Sequence, residues 1–424
     1  MARQMKDSGI EWIGEIPETW RIRKGKWILE HLERPVLPDD GVITCFRDGE
    51  VTLRSNRRED GFTFSLQEAG YQGIEPGDLV VHGMDGFAGA IGISDSRGKG
   101  TPVLNVLDST EDKKYLTYFL RTMAHNGIFL ALSTGIRVRS CDTNWNKLKE
   151  LQYVLPPSDE QERIVAFLDR KCAEIDAVIE RTKATIEEYK KLKQAVITEA
   201  VTKGVRGPRP MKDSGIEWIG EMCDTYKVYR LKHLANESLM YGANESGIPY
   251  DANLPRYIRI TDITLDGHLK DDGKLSLSES AAEPYILKNN DILFARSGAT
   301  VGKAFIYKQE YGKAAFAGYL IKASTNELVC ADYVFYYTQS SLYEEWKKQI
   351  FVQATIQNIG ADRYNNLPVV LPSVEEQREI VAFLDEKCSA LDTLIAKKTA
   401  LLTELETYKK SLIYEYVTGK KEVL

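Results

Sequence analysis

The stretch from 155 to 202 occurs twice in this chain. LPPSDEQERIVAFLDRKCAEIDAVI opens the first copy, and LPSVEEQREIVAFLDEKCSALDTLI opens the second at Leu371. The two align without a gap, with roughly twenty of 48 positions identical, and neither contains a proline or glycine beyond its opening prolines. Apolar residues recur in alternating steps of four and three. Leu168, Cys172, Ile175, Ile179, Ile186, Tyr189, Val196 and Ala200 trace the first seam, and Leu384, Cys388, Leu391, Ile395, Leu402, Leu405, Leu412 and Tyr416 trace the second. That period is an a/d heptad seam, so each copy predicts one long helix whose natural partner is the other. Thr182 and Lys193 interrupt the first seam where Lys398 and Lys409 interrupt the second, as register-fixing polar positions do. About 45 helical residues make a rod of roughly 65 Å. A serine followed three residues on by Gln or Glu (Ser158 and Gln161; Ser373 and Glu376) predicts a capping box at each start.

The duplication extends beyond the helices. MKDSGIEWIGE stands at 5–15 and again, unchanged, at 211–221. The order is therefore box, variable segment, helix, then box, variable segment, helix. A linker, GVRGPRP at 204–210, stops the first helix with a glycine and two prolines. Like units related by a twofold axis run their helices antiparallel, which predicts one variable domain at each end of the rod.

The variable segments share little sequence, but both alternate short apolar runs with glycine turns. GYQGIEPGDLVVHGMDGFAGAIGIS (70–94) and LKNNDILFARSGATVGKAFIY (287–307) each predict two strands around a turn. A tyrosine-rich helix follows each of them, at 115–123 and 333–346. The expected fold is α/β in the α+β sense. It comprises two domains of mixed or antiparallel sheet, separated by an antiparallel coiled coil of two long helices. The boundaries are 1–154, 155–210, 211–370 and 371–424.

Composition excludes several classes. With 56 Lys+Arg against 62 Asp+Glu the net charge is -6, so wholesale coating of nucleic acid is not expected and any DNA-binding face must be local. No apolar run reaches membrane-span length, the first residues have no signal-peptide core, and the six cysteines lack CxxC spacing. A cytoplasmic chain without a membrane association is the expectation. Catalytic signatures are missing together: there is no HExxH, no GxGxxG, and no Asn/Asp-Pro-Pro-aromatic motif. GATVGK (298–303) falls short of a P-loop because its glycines stand one residue too close and Ala304 replaces the hydroxyl that would hold Mg²⁺.

These residues carry a resemblance. The duplicated MKDSGIEWIGE box, the LPxxxEQ–IVAFLD helix, ILFARSGATVGKAFIY and IQNIGADRYNNLPVVLP resemble the specificity (S) subunit of type I restriction–modification systems, over essentially the full length. The resemblance implies a non-catalytic reader of double-stranded DNA. Each variable domain would be a target recognition domain reading one half of a bipartite target, while the paired helices set the spacer. Two methyltransferase (modification) subunits would dock on the repeated regions, and motor–nuclease (restriction) subunits would complete the complex. S-adenosylmethionine, ATP and Mg²⁺ would sit on those partners, and this chain would carry no cofactor, metal or catalytic residue. Two rival readings are a self-sufficient DNA methyltransferase or nuclease with an unrecognised site, and a purely structural coiled-coil adaptor.

Candidate DNA contacts follow from residue chemistry. In the second domain they are Arg256, Arg259 and Thr261 on a strand, and Arg296, Ser297, Thr300 and Lys303 at the glycine turn. Gln353, Thr355, Gln357 and Asn358 join them, carrying amide and hydroxyl groups able to pair with base edges, Gln or Asn suiting adenine. In the first domain they are Arg54, Asn56, Arg57 and Arg58 in the RSNRR cluster, together with Arg137, Arg139 and Asn144. Candidate partner contacts on the helices are Glu160, Gln161, Phe167, Asp169 and Asp176, echoed by Glu376, Gln377, Phe383, Asp385 and Asp392. The echo means one demand made twice, either mutual packing or docking of one partner per half.

Overall fold

Each MKDSGIEWIGE box folds into the same small hairpin. In the computed structural model, which describes residues 3–57, 69–131, 143–264, 267–298, 300–352 and 357–423, Met5–Asp7 pairs with Glu15–Pro17 and Met211–Asp213 with Glu221–Cys223. The repeated Asp-Ser-Gly makes the turn. Asp7 and Asp213 each accept the amide of the glycine two residues on at 2.9 Å, and that glycine lies at φ 66 and 76. An L side chain rarely adopts that region, so the glycine is needed.

The variable segments build a mixed α/β fold from small, mostly antiparallel sheets. Their common scaffold is a four-stranded antiparallel sheet. In the first it runs in the order Leu29–His31, Leu104–Ser109, Leu79–His82, Ile91–Ile93. In the second the order is Met240–Tyr241, Leu320–Ala323, Ile292–Ala295, Ala304–Ile306, again antiparallel throughout. The strand pairs expected around 70–94 and 287–307 are the last two of each sheet. The second segment adds a further sheet in which Arg256–Ile258 runs parallel to Ala314–Phe316.

The tyrosine-rich segments are helical, but only the first is one helix, Lys113–His125. The second breaks at 338–340 into Ala331–Tyr337 and Ser341–Val352. The break has partners: Thr198 Oγ1 accepts the Ser341 amide at 2.9 Å, and the Ser340 hydroxyl donates to the Tyr337 carbonyl at 2.7 Å.

Both long helices form, Ser158–Lys203 and Val374–Val417, and no a/d position on either is exposed. The reciprocal capping boxes do not form. Ser373 does cap its helix, its hydroxyl accepting the Glu376 amide at 3.3 Å, but the Glu376 carboxylate turns away. In the first helix Ser158 already lies inside the helix, and the Glu160 and Gln161 amides donate to the Pro157 carbonyl.

The chain divides into two compact units, Met1–Lys183 with Ala400–Leu424, and Ala184–Thr399. Each therefore contains one box, one variable segment and parts of both long helices. In the first, Ile164, Leu168, Leu412, Ile413 and Val417 share a core with Trp20, Tyr115 and Phe119. In the second, Ile197, Val201, Ile380 and Leu384 share one with Tyr226, Tyr333 and Tyr337. Each such apolar side chain removed from water contributes about 1.5–3 kcal/mol. The tyrosines add polar anchors. Tyr115 Oη lies 2.8 Å from the Val154 carbonyl and 3.0 Å from that of Val417, and Tyr333 Oη lies 2.7 Å from Val370 O and 3.4 Å from Val201 O.

Candidate nucleic-acid interface

In the second unit, one end of the four-stranded sheet gathers four distant segments. Where strand Ile292–Ala295 ends, the Arg296 amide donates to the Tyr319 carbonyl at 3.0 Å, and the Arg296 carbonyl accepts from Ile359 N at 2.8 Å. Ser297 bridges to Asn358. The Arg296 guanidinium carbon lies 4.9 Å from the centre of the Tyr241 ring, and the Tyr241 hydroxyl accepts the Ala361 amide at 2.9 Å. The Arg296 Nε is buried without a hydrogen-bond partner. Tyr319 is 63% exposed and Tyr241 41%, and Gln357 and Asn358 are exposed beside them.

This end thus brings together Arg296, Ser297, Gln357 and Asn358. Thr300 and Lys303 lie on the turn that follows, with the Lys303 amide donating to the Thr300 carbonyl at 2.9 Å. The turn is braced from below, where the Tyr343 hydroxyl donates to the Gly302 carbonyl at 2.7 Å. Gln353 and Thr355 lie outside the described residues. Tyr241 and Tyr319 are the members that sequence reasoning missed. Only the sheet order places them there, because nothing local marks an exposed tyrosine as a neighbour of Arg296.

Arg256, Arg259 and Thr261 are not part of this group. The strand expected to alternate runs only Arg256–Ile258 and is buried on both faces. Arg256 donates to the Lys270 carbonyl. Arg259 pairs with Asp262 at 2.7 Å and donates to Gly273 O at 2.8 Å, and the Asp262 carboxylate raises its pKa further. The Thr261 side chain is exposed while its carbonyl accepts from Lys270 Nζ at 2.9 Å.

The first unit repeats the backbone of the interface without its arginine. Gly83 N donates to Val103 O at 2.7 Å and Gly83 O accepts from Thr143 N at 2.8 Å, the same two bonds that fix Arg296. Asn144 then caps the short helix Trp145–Leu148, its Oδ1 accepting from Lys147 N at 3.1 Å. In the RSNRR cluster, Arg54 Nε donates to Thr44 Oγ1 at 3.2 Å and Asn56 donates to Thr52 Oγ1 at 2.9 Å. Arg57 pairs with Asp48 at 2.6 Å and Glu50 at 2.9 Å and lies 4.2 Å from the centre of the Phe46 ring. Burial works against the charge on Asp48, but Arg57 outweighs it and the Asp48 pKa falls. Arg58, Arg137 and Arg139 lie outside the described residues.

The echoed helix residues make the same bonds in both units. Glu160 pairs with Arg3 at 2.6 Å and accepts from Trp20 Nε1 at 3.0 Å; Glu376 pairs with Arg209 and accepts from the Tyr226 hydroxyl. Gln161 accepts the Asp112 amide at 3.0 Å, and Gln377 accepts the Cys330 amide at 2.8 Å, each holding the residue that starts the tyrosine helix. Asp169 accepts from Tyr118 Oη at 2.8 Å and Asp385 from Tyr336 Oη at 2.6 Å, and both tyrosine hydroxyls are pushed up, first by burial and then by that carboxylate. Asp176 pairs with Lys409 and Asp392 with Lys193, each at 2.7 Å. Phe167 packs on Tyr416 with ring centres 4.5 Å apart, while Phe383 is half-buried beside Lys387. Internal packing therefore accounts for most of the repetition.

Among the described residues no group of three or more His, Cys, Asp or Glu is arranged to hold a metal ion, and no helix is long and apolar enough to cross a membrane.

Known proteins resemble this chain along its length. Residues 257–407 match the family described as the type I restriction modification DNA specificity domain. A Methanocaldococcus jannaschii chain, provisionally named the type I restriction enzyme MjaX specificity subunit, is 25% identical over 443 aligned positions, covering 97% of this chain and 96% of its own. The EcoKI specificity subunit of Escherichia coli K12 is 20% identical, covering 96% and 90%. A chain in a solved structure concerned with assembly and conformational transition of the type I R-M system superposes with a TM-score of 0.71 at 15% identity, covering 96% of this chain and 99% of that one. The chain is thus similar along its length to specificity subunits of type I restriction–modification systems, and residues 257–407 match the family's DNA specificity domain.

Proposed function

We propose that this chain reads DNA sequence for a type I restriction–modification complex, each of its two units reading one half of a bipartite target. One observation carries the reading. Two units share a sheet and the same backbone bonds at its end, yet present different side chains there, Arg296 in one and none at Gly83 in the other. A common scaffold with divergent tips suits two readers of different sequences.

The finer parts of the reading follow from the likeness to that family. The paired helices set the distance between half-sites, and two methyltransferase subunits dock on the repeated regions, one per half. Motor–nuclease subunits join that core in the cytoplasm. The chain itself performs no chemistry; S-adenosylmethionine, ATP and Mg²⁺ act on the partner subunits.

The test is methylome sequencing of a host carrying the chain with its modification subunits. The expected result is a gapped, two-part methylated site. Exchange of 222–370 for another such domain is expected to change one half and leave the other half and the gap alone. Turnover by the purified chain alone, given DNA, Mg²⁺ and S-adenosylmethionine, would reject the non-catalytic reading.

A further inference from the structure

Arg296 differs from the other candidate arginines whose side chains have been described. Arg57, Arg256 and Arg259 each direct donors at carboxylates or carbonyls of their own unit. The Arg296 guanidinium has no hydrogen bond or ion pair among the described residues, and its Nε is sealed from water. A buried donor left unpaired costs a fold stability, and a functional role is one explanation for keeping it.

Its surroundings hold it in place. The backbone is fixed on both sides, by Tyr319 O and Ile359 N. The side chain lies against the Tyr241 ring, and that ring is pinned by the Ala361 amide on its hydroxyl. A phosphate contact needs only a mobile cation at the surface, whereas end-on pairing with a base edge needs a guanidinium in a fixed place. Two parallel donors match O6 and N7 of guanine.

We infer that Arg296 reads a guanine in the half-site of the second unit, and that Tyr241 is the positioning residue that presents it. Exposed Tyr319, beside the Arg296 amide, flanks the same base step. The inference rests on the DNA-reading function proposed above and adds the base, the residue and its support.

The experiment is selection from a random duplex library by the chain assembled with its modification subunits, sequenced for wild type, Arg296→Ala, Arg296→Lys, Tyr241→Phe and Tyr241→Leu, alongside salt titrations of affinity. In the wild type, a gapped motif with at least one G·C pair in the half assigned to 222–370 is expected. Arg296→Ala is expected to lose roughly 10- to 100-fold of preference at one such pair, leaving the other half-site unchanged. Arg296→Lys keeps the charge but loses the fork, and is expected to lose the same preference with little change in salt dependence. Tyr241→Leu is expected to weaken that position, while Tyr241→Phe, which keeps the ring, retains most of it.

A uniform loss across sequences with a shallower salt slope would make Arg296 a phosphate contact and overturn the inference. So would an unchanged motif, a change in the other half-site, or a second half without any G·C pair. Should Arg296→Ala fail to fold, the lysine variant decides by the same readout. A wild type that selects no gapped motif would instead reject the DNA-reading function itself.

Discussion

Lys193 donates to both carboxylate oxygens of Asp392, at 2.8 and 2.7 Å. Lys409 and Asp176, the equivalent residues of the two repeats, make the reciprocal pair at 2.7 Å. Each repeat supplies the lysine for one pair and the aspartate for the other. The Asp392 side chain is 55% exposed, so the pair is screened by water and salt and is worth only about 0.2–1 kcal/mol. Lys193→Ala is expected to shift the urea midpoint slightly. Exchanging the two charges, Lys193→Asp with Asp392→Lys, is expected to recover most of that loss. A large penalty for the exchanged pair would show that more than charge is matched there.

Glu376 presents the opposite case. It is buried between Arg209 and the Tyr226 hydroxyl; burial opposes its charge, but those two hydrogen bonds prevail and its pKa falls below the ordinary 4.5. A carboxylate whose folded pKa is depressed stabilises fully above its unfolded pKa, and that contribution disappears as pH falls through the folded value. Glu376→Ala leaves the half-buried Arg209 without its carboxylate and the Tyr226 hydroxyl without its acceptor, at a cost of about 1–3 kcal/mol at neutral pH. The gap between wild type and variant is expected to narrow as thermal melts are taken down through the carboxylate range. A gap that stays constant would mean the charge on Glu376 contributes nothing.

Gln377 ties the start of its helix to the tyrosine helix, accepting from Cys330 N and donating toward the Leu328 and Pro372 carbonyls, both at 3.0 Å. Gln377→Leu strips partners from the buried Pro372 carbonyl and from the part-buried Cys330 amide and Leu328 carbonyl, the buried one worth about 1–3 kcal/mol and the others less. A loss above about 2 kcal/mol is expected, while Glu375→Ala on the exposed neighbour should stay within about 0.5 kcal/mol. Hydrogen exchange at Cys330 provides the local check, since its amide should lose protection only in the first variant.

Arg57, held by Asp48, Glu50 and the Phe46 ring, is placed to brace its own turn. Arg57→Ala is expected to lower the melting temperature of the first unit only slightly and to leave the methylated sequence unaltered. An altered half-site in methylome sequencing would put Arg57 on the DNA instead.

Much of this architecture was legible in the sequence because a covalent repeat and a heptad period are local signals. The long helices, the boxes and the strand pairs around both glycine turns all came from such signals. The capping boxes misled because Glu376 found stronger partners in Arg209 and Tyr226, one of them supplied by the linker between the repeats. The break at 338–340 was hidden because Thr198, far away in sequence, provides a bond for it. The candidate interface was legible in part. Arg296 and Asn358 stood out by chemistry, but a sequence does not distinguish an engaged arginine such as Arg259 from one left open such as Arg296. Tyr241 and Tyr319 reach the same place only through sheet order, which no local pattern records.

Tyr115 lies within hydrogen-bond reach of the Val417 carbonyl, near the far end of the chain. A premature stop a few codons before position 417 would therefore injure the front of the molecule first, stripping Leu412, Ile413 and Val417 from the core around Trp20 and Phe119. Residues 184–399, translated just before the lesion, would keep every one of their own core side chains. Damage at one end of the gene would be felt as a defect at the other.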